Sequence, residues 1–381
     1  MGKKILCVVG ARPNLMKIAP VIRALKAGQD PFDVCLLHTG QHYDNAMNDQ
    51  FFAALGIPRP NINLDVGSAS HAVQTAEIMR RFEPVLEQEA PDAVLVVGDV
   101  NSTIACALVA TKMGIKVIHV EAGLRSYDRG MPEEINRVLT DQISDILFTT
   151  ERDAAANLQR EGIGAERIHF VGNVMIDTLK SQLPHATPMS ETLRQSGVSE
   201  AFLKGKSDYG ILTLHRPSNV DDINILRSLI TTATKISETL PIIFPAHPRT
   251  RGRIESYGLM DLINAANIVL LPPQGYLEML GLMKDARLTL TDSGGIQEET
   301  TALGVPCITL RHNTERPITV SEGTNTITGT DPQKIFAAVN NVLKTGGKSG
   351  KSPEFWDGNA APRIAAVLHE WLGPTQQRHV A

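Results

Sequence analysis

The stretch HVEAGLRSYDRGMPEEINR, residues 119 to 137, places a strand end, three arginines and three glutamates in one short reach of chain. Such groups can neutralise one another at a surface. They can also line a site that handles an anionic ligand at one end and protons at the other. Glu121 follows the apolar run KVIHV, where a carboxylate needs a partner or a raised pKa; His119 and Arg125 are the partners close by in sequence. Asp99, in VVGDVNSTIA, also ends an apolar run. It can cap the helix that follows, but Asn101 and Ser102 can do so too, which weakens that explanation. Glu133 and Glu134 follow Pro132, and a first helical turn favours proline and acids for its own reasons. Taken alone, those two glutamates read as structural.

Cations stand at similar places. GARPNLMK puts Arg12 just after the first apolar run and Lys17 further along the same helix start. Two cations there oppose the helix dipole unless an anion lies between them. TLHRPSN puts His215 and Arg216 after another run, a pairing suited to phosphate, and LRHNTERP adds Arg311 and Arg316. TDSGGIQEE, residues 291–299, leaves a strand and opens a helix. Ser293, Gly294 and Gly295 there offer free N–H groups to an anion, and Glu299, more than a turn on, can hold ribose hydroxyls. A plain turn capped by Asp292 or Ser293 is the alternative. It is only partly met, because Ile296 stands where a capping box wants Glu or Gln.

Some patterns fail. No G-x-G-x-x-G follows a strand, so a dinucleotide fingerprint is not met. GGKSGKS has Thr345 where a P-loop needs its first glycine, and it follows a helical pattern. His38 and His42 flank Gly40, which argues against a helical zinc-binding face.

Something must position these groups. KILCVVG, FDVCLLHTG, DAVLVVGD, KVIHVEAG, ILFTT and RIHFVG are short β-rich runs, with helical periodicity near 13–28, 70–90, 102–114, 132–144 and 151–162. The alternation restarts after a polar stretch at 181–208 with YGILTLH, PIIFPAH, IVLLPP, LTLTDS and PCITL. Continuous apolar strands alternating with helices predict parallel sheets covered on both faces. The reading is α/β: one Rossmann-like domain over 1–173 and a second over 174–358, with a helix near 359–372 returning to the first. Ligands of such sheets bind at the carboxyl ends of strands, which is where the residues above fall.

The chain has 381 residues, too many for one ordinary core, and a formal net charge of −4, unlike a broad polyanion binder. No apolar run approaches the length of a membrane span, and MGKKILCVVG reads as a first strand rather than a signal sequence. The four cysteines are scattered without a C-x-x-C pair, as expected of reduced core thiols in a cytoplasmic protein. Neither a metal nor a nicotinamide site is expected.

GARPNLMKIAP, GQHYDNAM, VVGDVNSTIA, HVEAGLRS with MPEEINRVLTD, TLHRP, TDSGGIQEE and TERP, in this order, resemble the non-hydrolysing UDP-N-acetylglucosamine 2-epimerases over about residues 5–320. The resemblance implies two Rossmann-like domains facing a central cleft, as in GT-B glycosyltransferases. It also implies a UDP-sugar substrate, no cofactor and a homodimer, with neither nucleic acid nor membrane as partner. UDP would be eliminated to give a 2-acetamidoglucal and then re-added after protonation of the opposite face. The implied roles are Asp99, Glu121 and Glu133 at the sugar, and Arg12, Lys17 and His215 at the diphosphate. Ser293, Gly294, Gly295 and Glu299 would hold phosphate and ribose, with Arg316 a further phosphate ligand. Asn14, HRPSN and HPRTR depart from the family pattern, and GQHYDNAM is also similar to epimerases of UDP-2,3-diacetamido uronic acids. A hydrolysing epimerase and a GT-B glycosyltransferase are the rival readings.

Overall fold

The computed structural model describes residues 2–40, 56–203, 205 and 208–373, without the side chain of Arg12. Contacts divide the chain into two units, Met1–Thr178 with Glu354–Ala381, and Leu179–Pro353.

The first unit is built on strands β1 (Lys4–Val9), β2 (Asp33–His38), β3 (Ile62–Asn63), β4 (Ala93–Val97), β5 (Lys116–Ala122), β6 (Ile146–Thr149) and β7 (Ile168–Phe170). They form one sheet in the order β3-β2-β1-β4-β5-β6-β7, and every pairing is parallel. Helices cover both faces of the central strands, which explains why β1 and β4 read as unbroken apolar runs rather than alternating ones. The order reverses between β1 and β4, and the loops leaving these two strands carry Arg12 and Asp99. Such a switch point opens a crevice at the strand ends.

The second unit contains β8 (Gly210–Thr213), β9 (Ile242–Pro245), β10 (Ile268–Leu271), β11 (Leu288–Thr291), β12 (Cys307–Thr309) and β13 (Asn325–Ile327). This sheet is also parallel, in the order β10-β9-β8-β11-β12-β13. Its switch lies between β8 and β11, the strands that lead into His215 and Ser293. Leu226, Ile230, Ile242, Phe244, Leu288 and Leu290 belong to its fully packed core. Each unit therefore brings its candidate residues to the place where an open parallel sheet binds ligands.

Three features were not visible in the sequence. The edge strands β3 and β13 are too short to show a pattern. The polar stretch 181–208 holds a helix, Met189–Gln195, and a 3-10 turn, Glu200–Leu203. Their Leu193 and Leu203 pack with Tyr209, Ile211 and Leu282, so much of this segment belongs to the second unit instead of merely joining the two. The division also falls at 178/179 and 353/354, inside the helix Val174–Gln182 and ahead of the last helix, rather than at 173/174 and 358/359. Val174, Met175 and Ile176 are buried, and Thr178 Oγ1 donates to the Met16 carbonyl at 2.6 Å, which ties this helix start to the first unit.

The last helix, Ala360–Leu372, packs on Arg12–Leu25 in the first unit. Asp177 accepts hydrogen bonds from Ala360 N and Ala361 N at 3.0 and 2.7 Å, supplying the N-terminal cap that Asn359 does not. Among the described residues no helix is long and apolar enough to cross a membrane.

Candidate active site

In the first unit the focus is Glu121. Its backbone has φ of 73°, in the left-handed region, and the β5–β6 register shifts between Val120 and Ala122. A β-bulge of this kind re-aims a side chain. A non-glycine residue held there costs about 1–3 kcal/mol, so the rest of the structure must enforce it. The carboxylate is buried and meets Lys17 Nζ at 2.7 Å through Oε1 and 2.6 Å through Oε2. The partner is thus Lys17, 104 residues away in sequence, and neither His119 nor Arg125. A cation reaching in from another element is what a buried carboxylate requires. Lys17 is itself buried, spent on Glu121 rather than held open at a helix start. Gly98 lies beside this pair: a Cβ there would sit 3.2 Å from Lys17 Nζ, at a backbone φ of 68° that disfavours other residues anyway.

Asp99 is not a cap. Val100 occupies the N-cap position of the helix Asn101–Lys112, and the Asp99 carboxylate is paired with Arg137 Nη2. Arg137 Nη1 in turn pairs with Glu134, which also accepts from Ser126 N at 2.9 Å and Tyr127 N at 2.8 Å. Burial pushes the Glu134 carboxyl up, but these N–H groups and Arg137 hold it below its ordinary value. Glu134 is therefore structural, as its place in a first turn suggests. Glu133, next to it, is half-buried and makes no hydrogen bond or ion pair among the described residues. Arg125 grips Glu161 and Asp141, with Nη2 at 2.5 and 2.7 Å, so it orients neighbouring loops. Asn14 accepts from Ala11 N at 3.0 Å and donates to the Val97 carbonyl at 3.0 Å, stitching the loop after β1 to the end of β4. Arg12 opens its helix, but its side chain, like His42 and most of GQHYDNAM, lies outside the described residues.

In the second unit His215 and Asp292 form a dyad. His215 Nδ1 lies 2.9 Å from Asp292 Oδ1. The buried Asp292 also accepts from His215 N at 3.1 Å, Arg216 N at 3.0 Å and Asn219 Nδ2 at 3.2 Å. Burial alone would raise its pKa, but His215 and these N–H donors hold it below the usual carboxylate value. The imidazole is thereby oriented through Nδ1, and its ring remains partly exposed. Sequence reading offered Asp292 or Ser293 as the cap of a plain turn. Asp292 is the group that aims His215, and the N-cap position belongs to Ser293, with no side-chain cap bond. What brings the two loops together is the pairing of β8 with β11, which sets Thr213 beside Thr291 and has no local mark in the sequence.

Around the start of the helix Gly294–Leu303 lies a group of arginines built about a residue that sequence reading passed over, Glu315. Its buried carboxylate meets Arg311 Nη2 at 2.8 Å and Arg216 Nη2 at 3.6 Å. Burial opposes its ionisation, but Arg311 and Arg316 outweigh that and hold it far below the usual range. Arg316 is buried, with Nε 2.8 Å from Glu298 Oε1, rather than solvated. A Cβ on Gly294 would come within 2.4 Å of Glu315 Oε1, so that glycine makes room for this chain's own carboxylate. A Cβ on Gly295 would meet nothing within 4 Å, leaving its backbone open to approach. Glu299 is buried, and burial pushes its carboxyl up to about 8 even though the nearby Tyr276 hydroxyl favours the ionised form.

The two parallel sheets and their switch-point sites place the protein among two-domain Rossmann-like enzymes of the GT-B-like class. The family model for UDP-N-acetylglucosamine 2-epimerase matches residues 23–369. The chain is 44% identical over 368 residues to the UDP-N-acetylglucosamine 2-epimerase of Methanococcus maripaludis, covering 96% of this chain and 98% of that protein. It is 40% identical over 369 residues to the UDP-2,3-diacetamido-2,3-dideoxy-D-glucuronate 2-epimerase of Pseudomonas aeruginosa, covering 96% and 99%. The crystal structure of Methanocaldococcus jannaschii UDP-GlcNAc 2-epimerase in complex with UDP-GlcNAc and UDP is similar, with a TM-score of 0.84, 43% identity and coverage of 96% and 99%. The chain belongs to the UDP-N-acetylglucosamine 2-epimerase family.

Proposed function

We propose that the protein interconverts UDP-N-acetylglucosamine and UDP-N-acetylmannosamine without net hydrolysis, the second unit holding UDP and the first acting on the sugar. The observation that carries this reading is Glu121, a buried carboxylate aimed by a bulge at a positive φ and matched to Lys17. A structural ion pair needs no such backbone. The proton on sugar carbon 2 has no neighbouring carbonyl to acidify it. As the bond from carbon 1 to the diphosphate oxygen breaks, UDP leaves with the electron pair and the ring becomes cationic. That proton then becomes acidic and passes to a carboxylate, giving the 2-acetamidoglucal. Protonation of the opposite face of carbon 2 and return of UDP to carbon 1 complete the epimerisation.

Asp99, Glu121 and Glu133 are the proton-transfer and ring-positioning groups in this account. Glu133 has a carboxyl without a partner among the described residues, and Asp99 is steadied by Arg137. His215, aimed by Asp292, is assigned to the diphosphate, and so is Arg12. Gly294 and Gly295 supply N–H groups at a helix start, Ser293 adds its hydroxyl because its N–H is spent on Thr291 Oγ1 at 3.0 Å, and Arg316 adds positive charge behind them. Lys17 acts through Glu121, compensating its buried charge. No step calls on a metal or a cofactor. A homodimer and a cytoplasmic location belong to the same reading. Val73, Ile135 and Leu139, exposed on helices flanking Asn101–Lys112, support the first, and four buried free thiols support the second.

The Glu299 carboxyl gives a pH-dependent expectation. Its folded pKa, about 8, exceeds the ordinary 4.5, so its contribution to stability is intact below 4.5 and is lost as pH rises through about 8. Ribose hydroxyls donating to it favour the ionised form. UDP binding at pH 7 therefore releases a proton, and its calorimetric heat varies with the ionisation enthalpy of the buffer. Glu299→Gln removes that dependence and weakens UDP. A buffer-independent heat in the wild-type protein would contradict the assignment.

Substrate choice is tested by offering UDP-N-acetylglucosamine and UDP-2,3-diacetamido-glucuronate separately and following sugar-nucleotide resonances by phosphorus and proton NMR. The expected result is a gluco/manno mixture from the first with UDP retained in the nucleotide sugars. Turnover of the second alone would transfer the same chemistry to the uronic acid. Stoichiometric free UDP with free N-acetylmannosamine would make the enzyme a hydrolysing one.

A further inference from the structure

We infer that His119 is a positioning residue for the reaction proposed above, its imidazole fixing the loops of Asp99 and Glu121 against each other and against the helix that bears Glu133. The inference rests on that functional reading. His119 lies in β5 and is fully buried. Its Nε2 is 2.8 Å from the Gly98 carbonyl oxygen, and its Nδ1 is 2.7 Å from Asp141 Oδ1. Asp141 sits on the helix Pro132–Ile143, and its Oδ2 accepts from Gly123 N at 3.1 Å and lies 2.7 Å from Arg125 Nη2.

One side chain thus reaches elements on both sides of β5. Gly98 immediately precedes Asp99, and its N–H donates to the Val120 carbonyl at 3.1 Å while its carbonyl is taken by His119. Gly98 also borders the Lys17–Glu121 pair, at a φ of 68° that disfavours any other residue, so this peptide has no side chain of its own to anchor it. His119 supplies a bond that does. On the other side, Asp141 fixes Gly123, which follows the strained Glu121 closely, and belongs to the same helix as Glu133, Glu134 and Arg137. An aliphatic side chain would fill the site between Ile118 and Val120 without making these bonds. It would also leave a buried carboxylate and carbonyl short of a partner.

The position allows a test that separates positioning from general stability. The amide nitrogen of glutamine can replace Nε2, keeping the bond to Gly98 and giving up Asp141. That of asparagine can replace Nδ1, keeping Asp141 and giving up Gly98. Wild type, His119→Gln and His119→Asn are compared for kcat and KM with UDP-N-acetylglucosamine, for UDP affinity and for thermal unfolding. Asp141 keeps Gly123 N and Arg125 when Nδ1 is lost, so positioning predicts that His119→Gln retains kcat within about fivefold, whereas His119→Asn, which releases the peptide next to Asp99, loses about 10²-fold, as expected when reacting groups shift by about 1 Å. KM and UDP affinity stay near wild type in both. Equal losses in the two variants, kcat falling in step with UDP affinity, or failure of both to fold would overturn the inference and leave His119 a stabilising residue. If the wild-type protein itself leaves the substrate unchanged, the functional reading has failed and takes this inference with it.

Discussion

Replacing Glu121 by Gln lowers kcat for epimerisation by about 10²–10⁴-fold, the range that a positioned acid or base contributes, while UDP affinity changes by no more than about twofold. Glutamine keeps the length and planarity of the side chain but cannot take up a proton from carbon 2. Apart from Arg12, the groups assigned to the nucleotide belong to the other unit, and Glu121 is not among them, so UDP affinity is expected to hold. Steady-state kinetics and UDP calorimetry on the same preparation check both halves. A variant with kcat within about threefold of wild type would show that the bulge serves the fold and that the base lies elsewhere, with Asp99 and Glu133 next in line.

The largest effect on stability is expected from Lys17→Met. Lys17 and Glu121 are both buried, with side chains 9% and 2% exposed, so the deletion removes the cation that balances a buried carboxylate. Breaking such a pair costs about 3–5 kcal/mol, a fall in Tm of roughly 6–20 °C at about 2–4 °C per kcal/mol for a unit of this size. Glu121→Gln alone strands the lysine in the same way. Removing both charges, in Lys17→Met with Glu121→Gln, leaves neutral groups of similar volume and recovers most of the loss. Activity does not return with it. Thermal unfolding of the full cycle reads the coupling directly. Additive losses would mean that the two side chains do not depend on each other. That would restore the reading in which Lys17 serves the ligand.

The fold was largely legible because buried parallel strands carry a strong and repetitive signal. The runs ending at Val9, Val97, Ala122, Thr213 and Thr291 are rich in apolar residues and buried on both faces, and each is followed by a turn and a helix. The short edge strands and the segment 181–208 were not legible, since neither offers a periodic pattern long enough to outweigh its polar residues. The candidate site was legible as a set of residue types at strand ends, and its pairings were not. Glu121 found its cation across the sheet, and Asp99 is held by an arginine on a helix 38 positions on. Asp292 looked like a cap because Asp commonly is one at that place, whereas its role depends on β8 lying beside β11. Glu315 sits in a loop, where sequence gives no reason to expect burial, and three arginines make that burial possible. The positive φ at Glu121, the clearest physical mark of a strained site, has no signature in sequence at all.

The most direct measurement is proton NMR of the purified protein with UDP-N-acetylglucosamine in heavy water, with chelator present. The account predicts that deuterium replaces the proton at carbon 2 in both the gluco and manno sugar nucleotides, at a rate that Glu121→Gln lowers. A manno product that retains its original proton at carbon 2 would contradict proton exchange through a carboxylate. Activity lost on chelation, or an unchanged spectrum, would contradict the account more broadly.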